Sequence, residues 1–165
     1  MSSQPGAGDR SPAAGSAGPS IAAGYTPAQW RQLTRLPGQV VIAAIQSSAA
    51  GAGAADQVAE AVAGLDGIAS GRSFDSDLVR AVAGAIYAET ERDLALVGPE
   101  NRLGDVLANC RAVAQLLASR ADPADAAAYR QWVQSIAARA ARPVDGREVV
   151  DRRLLAELGR ALGLS

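Results

Sequence analysis

The chain has 165 residues, is 48% hydrophobic but only 4% aromatic, and its 16 basic residues, all arginine, nearly balance 17 acidic ones to leave a formal charge of −1. With no histidine and no lysine, it cannot build Ser-His-Asp or Cys-His hydrolysis, histidine-ligated zinc, di-iron or haem sites, a Gly-Lys phosphate loop or a lysine Schiff base. The near-neutral charge argues against a dedicated nucleic-acid surface, and one cysteine rules out an intramolecular disulfide, which fits a reducing compartment.

Residues 1–24 are Gly, Ser, Pro and Ala with almost no large apolar side chains. Such a stretch buries too little surface to offset the entropy of ordering and is expected to be a disordered tail. It has no charged segment followed by an apolar run, as a secretory signal would. The longest strongly apolar stretch, near "VVIAAI", is too short to span a bilayer. These features predict a soluble, cytoplasmic protein with a single domain over 25–165.

Helical signals begin at "GYTPAQWRQLTRLPG" (24–38). Thr26 and Gln29 have capping-box spacing, Pro27 sits at the first helical position, and Tyr25 and Trp30 flank the cap as a hydrophobic staple. Pro37 is expected to kink or break this helix, with Val40, Val41, Ala44 and Ile45 continuing on one face beyond it. A second helix is predicted over about 55–70, burying a stripe of Val58, Ala61, Val62, Leu65, Ile68 and Ala69 and stopping at Gly71. The third opens with Asp75 as cap, Phe74 and Val79 as staple and Asp77 favoured by the helix dipole. It buries Leu78, Val79, Val82 and Ile86 and is expected to run on as one long helix through Leu94 and Val97.

In the fourth helix Leu103, Val106, Leu107, Cys110, Val113, Ala114 and Leu117 share a face, so Cys110 is expected to be a buried small hydrophobe. The fifth has Asp122 as cap, Pro123 in first position and Asp125 in the first turn, and buries Tyr129, Trp132, Val133, Ile136 and Ala140. The sixth starts at Asp151, stapled by Val150 and Leu155, buries Leu154, Leu155, Leu158 and Leu162, and stops at Gly163. No segment alternates with period two and no hairpin turn occurs. The fold class is therefore all-α, a compact bundle of about six helices behind the tail.

Polar chemistry is sparse. Glu89 and Asp93 in "YAETERD" share a helix face with Glu91 turned away, a candidate pair for a hard cation such as Mg²⁺ or Ca²⁺ if carboxylates from elsewhere join them. The same residues, with Arg92 beside them, also make an ordinary solvated face. Arg152, Arg153 and Arg160 with Arg139 and Arg142 make either a basic patch for an acidic partner or, with Asp151 and Glu157 interspersed, a mixed surface. Trp30, Tyr87 and Trp132 would suit a small-molecule pocket if their rings met.

Three blocks, "TPAQWRQLTRLP", "DPADAAAYRQWVQSIAARAA" and "VVDRRLLAELGRAL", resemble segments of uncharacterised bacterial helical proteins and, in layout, the TerB-like domains associated with tellurite resistance. The resemblance implies a compact helical domain associated with stress-response or envelope-linked complexes. TerB-like domains hold a cation through clustered acidic residues; no matching motif stands here, so no site residue carries over. An inventory of packing residues and caps without convergent polar groups predicts a non-enzymatic interaction or accessory protein without a cofactor, binding a protein partner or a second copy through an exposed apolar strip. The alternatives are a carboxylate-based divalent-metal domain of TerB-like type and a helical regulator that binds a small molecule.

Overall fold

Thr26 opens the first helix as its spacing predicts. Its amide donates to Gln29 Oε1 at 2.9 Å while the Gln29 amide donates to Thr26 Oγ1 at 3.2 Å, and the Tyr25 and Trp30 rings close over the cap with centroids 6.0 Å apart. A computed structural model describes residues 20–48, 53–90, 102–141 and 152–164. They form an all-α bundle of α1 (Pro27–Ser48), α2 (Ala54–Ser70), α3 (Asp77–Thr90), α4 (Leu103–Arg120), α5 (Pro123–Ala140) and α6 (Arg152–Leu162), with 3-10 turns at Ile21–Gly24 and Gly71–Ser73. There is no strand among the described residues, and no described helix is long and apolar enough to cross a membrane.

α5 lies at the centre, packed against all five other helices, and α1 runs beside it in contact with α2, α3 and α4. The predicted face of α5 is the buried one: Tyr129, Trp132, Val133, Ile136 and Ala140 are all inaccessible to solvent. Around it close Leu33, Leu36 and Val40 of α1, Leu78, Val79 and Val82 of α3, Val106, Cys110, Val113 and Leu117 of α4, and Leu154, Leu158 and Leu162 of α6. α6 ends at Gly163, whose φ of +73° lets the Leu164 amide turn back to the Gly159 carbonyl at 2.9 Å, a left-handed cap that a Cβ would strain.

The expected break at Pro37 does not occur; α1 passes through it as one helix. Proline has no amide to give to the carbonyl four residues back, which leaves that of Leu33 without its helical donor. The buried Tyr129 hydroxyl takes the place of that donor, bonding Leu33 O at 2.7 Å. A tertiary contact thus does what the helix cannot.

Three further expectations change. Ile21–Gly24 belong to the folded part, because Ile21 packs on the core; the rest of the predicted tail lies outside the described residues. The cap of α3 is Ser76, whose hydroxyl accepts from the Val79 amide at 3.3 Å, not the exposed Asp75. Ser76 prevails because its hydroxyl also donates to Asp125 Oδ1 of α5 at 2.6 Å, and with the start displaced by one residue Phe74 and Val79 no longer sit in staple positions. The predicted extension of α3 through Leu94 and Val97, and the Val150, Asp151 start of α6, lie outside the described residues.

Candidate functional site

α2 is where the sequence pattern and the fold part company. Its predicted buried stripe faces outward: Val58, Val62 and Leu65 are 64%, 60% and 57% exposed. The inward edge is instead Glu60, Gly64, Gly67 and Ile68, continuing to Gly71. Of the large side chains in the predicted stripe only Ile68 is buried.

Two neighbours impose this rotation. A Cβ on Gly64 would lie 2.6 Å from Val41 of α1, and one on Gly71 would lie 2.6 Å from the Trp132 ring, so α2 approaches closer than any side chain permits. Gly71 is kept for that space and not for a left-handed stop, since its φ is −60°. Its amide turns to the Ile68 and Ala69 carbonyls, which leaves the Gly67 carbonyl to the Trp132 indole N–H at 3.1 Å and the Ser70 hydroxyl at 2.7 Å. With its glycine edge locked against α1 and α5, α2 turns Val58, Val62 and Leu65 to its outer face.

Glu60 is the one acidic side chain on the inward edge, 6% exposed. Desolvation pushes its carboxyl above the usual carboxylate range, the neighbouring Ser48 side chain opposes this, and the Asp56 charge adds to it. Along the rim of the outer face, Arg139 of α5 pairs with Asp66 at 2.9 Å, and the Arg72 guanidinium lies 4.0 Å over the Tyr87 ring. The apolar stripe therefore runs between the Asp66–Arg139 pair on one side and the stacked Arg72 on the other.

The other candidates fall elsewhere. Glu89 is half-buried on α3 and Asp93 lies outside the described residues; among those described, no three His, Cys, Asp or Glu side chains converge as a metal site. Arg153 pairs with Glu157, one turn on along α6, at 3.0 Å. Arg139 is engaged by α2, Arg152 and Arg160 are exposed, and Arg142 lies outside the described residues. The three rings do not meet in a pocket: Trp132 is buried edge-on against Tyr129, Trp30 rests on Tyr25 and Tyr87 lies under Arg72. Cys110 is in the core as predicted, its thiol pushed up to about 12 by burial against a smaller opposing pull from Arg111; it is a thiol and not a nucleophile.

One feature escaped the sequence reading, an open cleft of ≈ 420 Å³ lined by Ala28, Arg31, Gln32, Arg35, Gln39 and Asn109. Its floor is the polar face of α1, legible as the i, i+3, i+4, i+7 complement of the buried Leu33 and Leu36. The Asn109 amide of α4 donates to Gln39 Oε1 at 3.1 Å across one end. Compared with known proteins, the chain matches no family model, no curated protein and no solved structure.

Proposed function

We propose that the protein is a non-enzymatic interaction module whose working surface is the outer face of α2. The observation that carries this reading is the exposure of Val58, Val62 and Leu65 on a helix that turns its glycines inward. Covering each such side chain is worth about 1.5–3 kcal/mol, and a contiguous group of them marks a surface that another chain covers. The reading assigns this activity to the cytoplasm, the compartment that a single buried cysteine suits. The test is a photo-crosslinking residue placed at position 62 of the full chain in its host cell, with position 127 on the exposed side of α5 as control. Protein adducts at 62 well above the control are expected; equal yields at the two positions would sink the proposal.

A further inference from the structure

Resting on the reading of α2 as a docking face, we propose that its occupant is α2 of a second copy of this chain, lying antiparallel. The seam is Ala55, Val58, Val62, Leu65 and Ala69, at alternating spacings of three and four, the repeat that keeps one helix facing another. Arg72 continues the series one step past the helix end.

Inverting this seam about the midpoint between Val62 and Leu65 maps it onto itself. Val62 then meets Leu65 of the second copy, Val58 meets Ala69, and Ala55 meets the stem of Arg72, so each layer pairs a larger side chain with an equal or smaller one. The parallel alternative sets Arg72 against Arg72 and aligns the two helix dipoles. The antiparallel one separates the arginines to opposite ends and brings each to the end of the other helix that carries Asp56 in its first turn. Asp66, already held by Arg139, falls opposite the small Ala59. With a formal charge of −1 the two copies feel little long-range repulsion, and the uncharged seam offers nothing to select a strongly charged partner over itself.

A helix of 17 residues spans about 25 Å, and one such pair covers less than the roughly 800 Å² per partner of a standard stable interface. The association is therefore reversible, with monomers at nanomolar and dimers at high micromolar concentration. Light scattering across that range should show the transition, and Val62→Glu should weaken it at least tenfold while leaving the thermal melt of the protomer unchanged, because Val62 is exposed there.

Register is tested by mixing full chains that carry Val62→Cys with chains that carry Leu65→Cys under mild oxidation; native Cys110 is buried and does not compete. The mixed 62–65 disulfide should exceed both self-linked products. Dominance of the 62–62 product would overturn the antiparallel arrangement. Monomers at every concentration, with disulfide yields no higher than from an exposed Ser119→Cys control, would overturn the second copy as occupant. In that case cellular adducts at position 62 with another protein would leave the docking face standing, whereas their absence would remove both.

Discussion

Tyr129 and Trp132, one turn apart on α5, each donate to a main-chain carbonyl that lacks the amide four residues on. Replacing Tyr129 by Phe keeps the ring and strands the buried Leu33 carbonyl, a loss of about 1–3 kcal/mol. In a Pro37→Ala background the alanine amide can serve that carbonyl, so the same Tyr129→Phe change should cost distinctly less. Urea unfolding of the four chains measures this coupling directly, and equal costs in both backgrounds would show that the hydroxyl is not standing in for the missing amide. Glu60 offers a second test at this scale. Its folded carboxyl is raised by desolvation, so its contribution to stability is full below the ordinary carboxylate value and is lost as pH rises through the raised one. Glu60→Gln should accordingly gain on the wild type in melting temperature as pH rises above the ordinary carboxylate range; a difference that does not change with pH would mean the carboxylate is hydrated.

Among the elements, α2 shows what a local pattern can and cannot decide. The Thr26–Gln29 box, the Asp122 cap, which accepts from the Ala124 amide at 2.9 Å, and the buried face of α5 were legible because each depends on residues within four positions of one another. The existence and length of α2 were legible for the same reason. Its rotation was not: a stripe of Val and Leu and a stripe of Gly both satisfy the helical period, and the choice between them is made by Val41 and by Trp132, whose indole reaches a carbonyl 65 residues earlier in the chain. Pro37 misled in the same way, since its rescue comes from a side chain 96 residues beyond Leu33. Gly71→Ala tests the lock. Its methyl would enter the Trp132 ring, and overpacking of this kind costs about 1–3 kcal/mol; a neutral or stabilising change, as a glycine near a helix end would give if only backbone entropy mattered, would show that α2 has room to move outward.

Over the whole molecule, the single cysteine, the absent histidine and lysine and the helical period were enough to settle the fold class and to remove much enzymatic chemistry. The exposed apolar face of α2 was not legible, because exposure belongs to the assembled bundle and not to any one segment. Metal binding through Glu89 and Asp93 has a direct test. If these carboxylates hold Mg²⁺ or Ca²⁺, millimolar metal should raise the melting temperature of the full chain, and Glu89→Gln with Asp93→Asn should abolish that shift; no shift in the wild type would remove the metal reading.

The central place of α5 also sets an order of events during synthesis. Helices α1 to α3 emerge first, carrying the unserved Leu33 carbonyl, a Gly71 with no Trp132 ring to close against and core faces of α1 and α3 open to every other nascent chain. None of this is resolved until the residues around Tyr129 and Trp132 leave the ribosome, because loops of 96 and 65 residues must close before those bonds form. The core that the first three helices share with α5 is thus completed only when the second half of the chain arrives. Ribosome-bound chains ending before Asp122 should be cut rapidly by added protease, and those extending well past Ala140 should resist.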